Sequence, residues 1–174
     1  MSNEPKVTRF GADPTLTQEL ATKAYVDAIE SGNTFARVVK KVDEVKNSDT
    51  TFADDAEIFF TGRANRTYHW IFLWESFINS TADMKIRWTD PAGASGNAVS
   101  NAQDWDMNGT IIRSATSTIV LSGNNQVRFY EDHGTFLMGA TAGDINFQWA
   151  QNVSNAGDVS ILRGSLLVVW EDLD

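Results

Sequence analysis

The chain has 174 residues, a formal net charge of −9 and a pI near 4.6. That acidity argues against nucleic acid and anionic membrane as partners, since both need clustered Lys and Arg to meet phosphate. With no cysteine, the chain cannot form disulfides, CxxC redox sites or thiolate zinc sites.

The length suits one domain with a short appendage, and such a chain can bury a core without metal or disulfides. Six Trp, ten Phe and three Tyr supply large apolar side chains for that core. The opening Met1-Ser2-Asn3-Glu4-Pro5 has neither a basic nor an apolar region of the signal-peptide kind. The longest apolar runs, Trp70–Trp74 and Leu166–Trp170, fall far short of the ~20 residues a spanning helix needs. Synthesis in a cytoplasm is the expectation.

In chain order, the first 16 residues are polar and broken by Gly11 and Pro14, which predicts an extended arm. Thr15 and Gln18 have capping-box spacing, and the pattern then predicts one short helix ending near Glu30 at Ser31-Gly32. Its stripe of Leu20, Ala21, Ala24, Tyr25, Ala28 and Ile29 needs a surface to pack on, because a helix of about 14 residues is marginal alone in water. Leu20, Ala24, Tyr25 and Ile29 are therefore candidates for anchoring and assembly.

From Phe35 onward the period becomes that of strands. Met84, Ile86 and Trp88 alternate with polar neighbours, as do Ile145, Phe147 and Trp149, and Val127 and Phe129. In each case the named residues are expected on the dry face. Tyr68–Trp74 is apolar at nearly every position, which predicts a strand buried on both faces, in a sandwich core or at a subunit interface. Turns at Asp90-Pro91, Gly123-Asn124 and Asn155-Ala156-Gly157 separate strand runs at a spacing that favours an antiparallel sandwich. Asp90–Asn108, rich in Gly, Ala, Ser and Asn, reads as a long exposed loop. The domain division is 1–32 as arm and helix and 33–174 as β-sandwich.

Several phrases resemble segments of bacteriophage virion surface proteins. Ala21-Thr22-Lys23-Ala24-Tyr25-Val26-Asp27 is similar to the ATKAYVD segments near the N-termini of phage fibre and other virion proteins. Asp49–Asp55 with Ala64–Tyr68 resembles the opening of a β domain common among such proteins, and Phe147–Ala156 with Arg163–Leu167 resembles its close. The layout is also similar to the C1q and tumour-necrosis-factor jelly rolls, which are homotrimers. The resemblance implies a mainly β, antiparallel jelly-roll sandwich preceded by an arm and a helix, assembling as a trimer on a virion. Tyr68, Trp70, Phe72, Trp74, Leu167 and Val169 are the expected trimer interface, as they carry more apolar surface than one sandwich face needs.

Candidate chemistry is sparse. Asp104, Asp106 and Asn108 followed by Gly109 match the first half of a calcium loop, but the closing position is Ala115 where a Glu belongs. A tight turn at Asn108-Gly109 is the better reading. His69 reads as a packed core residue and His133, in Glu131-Asp132-His133-Gly134, as a solvated turn residue. Asp54, Asp55 and Glu57 form an acidic cluster, which could hydrolyse glycosidic bonds only if two carboxylates were held about 5–9 Å apart. No nucleophile elbow, P-loop or Rossmann fingerprint occurs. Sequons such as Asn79-Ser80-Thr81 read as ordinary turn residues, since no signal peptide would deliver them to the secretory machinery.

The expected function is that of a non-enzymatic virion protein without cofactor, a head decoration or short head fibre. Its expected partners are copies of itself and capsid or tail proteins. The alternative is a receptor-binding tip that recognises a host glycan through the 90–108 loop, where Trp105 is placed either to stack on a sugar face or to plug a trimer apex.

Overall fold

The computed structural model describes residues 36–102 and 110–172. The arm and helix expected in 1–32, and with them Leu20, Ala24, Tyr25 and Ile29, lie outside the described residues. So do Asp104, Trp105, Asp106 and Asn108.

The described residues form twelve strands and no helix. In order these are β1 (Ala36–Val39), β2 (Glu44–Lys46), β3 (Ala53–Gly62), β4 (Thr67–Ile78), β5 (Asp83–Thr89) and β6 (Ser95–Ala102). Then come β7 (Thr110–Ser114), β8 (Ile119–Ser122), β9 (Gln126–Leu137), β10 (Gly143–Gln151), β11 (Val159–Ile161) and β12 (Leu166–Glu171). They make two antiparallel sheets. The larger has eight strands in the order β1-β12-β4-β9-β6-β7, with β11 joining β2 to β4; the smaller has four, β3-β10-β5-β8.

The pairings are nested. β1 pairs with β12, β3 with β10, β4 with β9 and β5 with β8, so the chain's two halves run back along each other. The hairpin β6–β7, inserted between β5 and β8, crosses to the large sheet and pairs with β9.

The core is aromatic and lies between the sheets. Met84, Ile86 and Trp88 of β5 and Ile145, Phe147 and Trp149 of β10 all point inward, as their alternation predicts. They meet Tyr68, Trp70, Phe72 and Trp74 of β4, which are at most 2% exposed. Trp88 lies 4.8 Å from Trp70 and 5.3 Å from Phe147 between ring centroids, and Phe147 lies 4.8 Å from Phe72. These tilted contacts suit aromatic quadrupoles, and the Trp88–Trp70 and Phe147–Phe72 pairs stitch sheet to sheet. The indole N–H groups of Trp70, Trp74 and Trp88 find no hydrogen-bond partner there. Their packing must outweigh a desolvation penalty of about 1–3 kcal/mol each.

Several expectations are corrected. Within the single chain β4 is not buried on both faces: its residues alternate strictly between buried and half-exposed. The phase of β9 is inverted, with Val127 58% and Phe129 52% exposed while Tyr130 is buried. Part of the expected 90–108 loop is strand β6, because β9 offers it a full edge to pair with. His133 lies within the 12-residue β9 rather than in a turn. The glycine behind it reflects close strand approach, since a Cβ at 134 would collide with the Asn97 carbonyl oxygen.

Candidate functional site

Strand parity decides which side chains reach solvent. On β4, Tyr68, Trp70, Phe72 and Trp74 share the inner face, so His69, Ile71, Leu73, Glu75 and Phe77 share the outer one. Leu167 and Val169 of β12 are likewise interior, at 0% and 1% exposure. All six residues expected at a trimer interface therefore fill the core of a single chain. The outer apolar surface belongs to their neighbours. Leu166 pairs with Leu73, Val168 with Ile71 and Trp170 with His69.

The outer face changes character along its length. At one end Phe77 pairs with Val127 and Glu75 with Phe129, and the exposed Val45 faces outward from β2, paired to β11. At the other end Trp170, His69, Thr135 and Asn97 form one row, followed by Val168, Ile71 and His133. The eight residue steps from His69 to Phe77 span roughly 26 Å along the strand.

The second end is concave. An open depression of about 510 Å³ is lined by side chains that include His69, His133, Glu131, Asn97, Thr135 and Trp170. His69 is held from both sides, with its Nε2 2.8 Å from Asp172 Oδ1 and its Nδ1 3.3 Å from Thr135 Oγ1. Trp170 stacks on its ring at 5.8 Å with an interplanar angle of 22°. His133 Nδ1 lies 3.3 Å from Glu131 Oε1. Both histidines of the chain thus sit on one face in diagonal register, each beside a carboxylate. His69 is not the core residue its aromatic neighbours suggest: its side chain is 34% exposed.

The acidic cluster does different work. Asp55 is buried and receives the fully buried Lys40, whose Nζ lies 2.7 Å from Oδ2 and 2.9 Å from Oδ1. The backbone N–H groups of Glu57 and Ile58 and the Trp149 indole also donate to Asp55. Glu57 accepts from the N–H groups of Lys41 and Val42, and Glu44 lies 3.1 Å from Lys40 Nζ. Asp54 is exposed and accepts from Gln148. Adjacent strand positions face opposite ways, so Asp54 and Asp55 cannot act as a catalytic pair. The cluster is a clamp that fastens the start of β3 to the β1–β2 turn and to β10.

A second buried carboxylate, Glu171, closes the β3–β4 turn, with Arg63 Nη2 at 2.6 Å and Arg66 Nε at 3.3 Å. Lys46 lies over the Trp149 ring and donates to the Trp149 carbonyl; burial pulls its pKa down against nearby carboxylates that raise it. Burial raises the Tyr130 phenol and the Asp90 carboxyl. Among the described residues, no three His, Asp or Glu side chains are grouped to hold a metal ion. The described residues contain no helix long and apolar enough to cross a membrane.

No protein family and no curated protein matches the sequence. Among solved structures, a bacterial lipoprotein from Bacteroides thetaiotaomicron aligns at 10% identity over 82% of this chain and 89% of that one, with a TM-score of 0.26. Structures of two strains of infectious bursal disease virus, Gt and Gx, align at 12% and 10% identity. They cover 83% and 80% of this chain but only 38% and 40% of theirs, with TM-scores of 0.17 and 0.19. At such scores these likenesses are weak and carry no argument about function.

Proposed function

We propose that this chain is a non-enzymatic structural protein of a bacteriophage virion surface, a homotrimeric head decoration or short head fibre. In this reading residues 1–32 anchor it to capsid or tail proteins, and the sandwich projects outward. Synthesis takes place in the host cytoplasm. The nested pairing of β1–β12, β3–β10, β4–β9 and β5–β8 supports a jelly roll, the double-sheet architecture of many capsid domains.

The observation that carries the reading is the exposed apolar end of the large sheet's outer face. Val45, Val127 and Phe129 are each more than half exposed there, beside Phe77 and Leu73. An apolar sheet face in contact with water calls for a partner. Closed rotational symmetry lets identical copies cover one another's patches without leaving an open-ended contact. The interface then consists of these outer residues rather than the interior Trp70 and Phe72. The resemblance of Ala21–Asp27 and of the two ends of the β domain to phage virion proteins supplies the setting.

The test is the solution mass of the 19.2 kDa chain with and without residues 1–32. A trimer that survives the truncation is the expected result. A monomer at working concentration in both forms overturns the trimer.

A further inference from the structure

The depression at the other end of the same face has a chemistry the trimeric reading does not use. We propose that it is a binding site for a neutral saccharide, with His69, His133, Glu131, Asn97, Thr135 and Trp170 as its contacts. The inference rests on this groove alone and stands whether or not the chain is part of a virion.

A volume of about 510 Å³ lies within the ~300–1,000 Å³ usual for small-molecule sites. Its openness suits a ligand that keeps part of its surface in water. The lining mixes functions in the way a sugar requires. A carboxylate accepts hydrogen bonds, an amide and a hydroxyl do both, and His133, whose Nδ1 faces Glu131, presents its Nε2 to a ligand, while His69, engaged at both nitrogens, offers its ring edge. The flat apolar face of Trp170 complements the C–H face of a pyranose, as amphipathic rings do at wet interfaces.

Charge narrows the class. The named lining includes no Lys or Arg, and Asp172 stands behind His69 while Glu131 stands beside His133. Those two carboxylates repel phosphorylated, sulfated or sialylated ligands. A cation coordinated by protein ligands is also disfavoured, because no metal-holding group occurs among the described residues.

Rigidity strengthens the case. The contacts sit on four neighbouring strands, β12, β4, β9 and β6, whose register fixes their spacing. The contacts of His69 with Asp172 and Thr135, and of His133 with Glu131, hold the two imidazoles in place before any ligand arrives. Preorganised side chains lose little freedom on binding.

The test is a two-dimensional NMR titration of the full chain with methyl glucoside, methyl galactoside, methyl mannoside and N-acetylglucosamine, with sialyllactose as the anionic control. At least one neutral sugar should bind in the millimolar range and move the Trp170 indole and the amides of His69, His133 and Thr135. Trp170→Ala and His133→Ala should each weaken binding about tenfold, or ~1.4 kcal/mol, with the circular-dichroism spectrum unchanged. Phe129→Asp, at the apolar end, should leave sugar binding intact even where it changes the solution mass, so the two proposals can fail separately. Silence toward every neutral sugar at tens of millimolar overturns the site. So does binding that survives both groove variants, preference for sialyllactose, or loss of binding only with Trp105→Ala.

Discussion

The two faces of β4 follow different rules although they share one backbone. Toward the interior, Tyr68, Trp70, Phe72 and Trp74 are packed ring against ring and tolerate two orphaned indole N–H groups, those of Trp70 and Trp74. Toward the outside, His69, Ile71, Leu73, Glu75 and Phe77 are half-exposed, and His69 is tied to the Asp172 carboxylate and the Thr135 hydroxyl. The inner face sets stability; the outer face is free to vary and is where recognition can be built. Position along the strand then divides the outer face again, into an apolar end and a groove of mixed lining that holds both histidines.

The largest test of this contrast is substitution at adjacent positions. Trp70→Ala should cost about 3–5 kcal/mol of unfolding free energy, because it empties a large volume between rigid sheets. Ile71→Ala, one residue away on the half-exposed face, should cost about 1 kcal/mol or less. Urea denaturation of both variants reads the difference. Equal losses would mean that the outer face is covered in the folded protein.

Lys40→Met should come next, with a loss of about 3 kcal/mol. The substitution leaves Asp55 buried without its cation, and breaking one side of a buried pair is costly. The double variant Lys40→Met with Asp55→Leu should recover part of the loss, which thermal melts can measure. If the single variant is silent, the clamp at the β1–β2 turn does not hold in solution.

Much of the interior could be read from the chain, and the reason is contrast. Met84-Lys85-Ile86-Arg87-Trp88 alternates apolar with charged residues, so only one face can be dry. The phase of β9 fails for the opposite reason. Its apolar Val127 and Phe129 point outward, while the inward positions are Tyr130 and Asp132, of polar or mixed type. β6 has a loop-like composition, Ser95-Gly96-Asn97-Ala98, and forms through pairing with β9 rather than through local propensity.

The groove is harder to read from sequence. His69 and His133 are distant in the chain, and only the β4–β9 register brings them to one face. Parity could have been applied to Tyr68–Trp74 once the large aromatics were assigned inward, which places His69 outside. Nothing local marks His133, because its glycine neighbour mimics a turn.

A smaller effect in stability, but a qualitative one in assembly, is expected at the apolar end. Val127→Asp with Phe129→Asp should change unfolding free energy by about 1 kcal/mol or less, since both side chains are exposed in the single chain. The same double variant should convert a trimer to a monomer in solution-mass measurements. Retention of the trimer would move the interface elsewhere on the sandwich.

The subtlest probe is the titration of Tyr130, on the inner face of β9 and stacked on Trp74 at 4.4 Å. Burial raises its pKa above the usual value of 10.0. The folded state therefore keeps the phenolic proton after the unfolded chain has lost it. Stability from this group is complete below the unfolded pKa and falls as pH rises from there through the folded one. Lys46 acts oppositely: its pKa is lowered from 10.5, so its penalty on folding fades as pH rises through that window. Tyr130→Phe keeps the ring stack and leaves Lys46 untouched. Comparing the two proteins by denaturant unfolding at stepped alkaline pH isolates the phenol, and only the unsubstituted chain should carry its alkaline loss. If both decline in parallel, the interior behind β9 admits enough water to solvate a phenolate, and the sharp division between the two faces of the sheet does not extend to that strand.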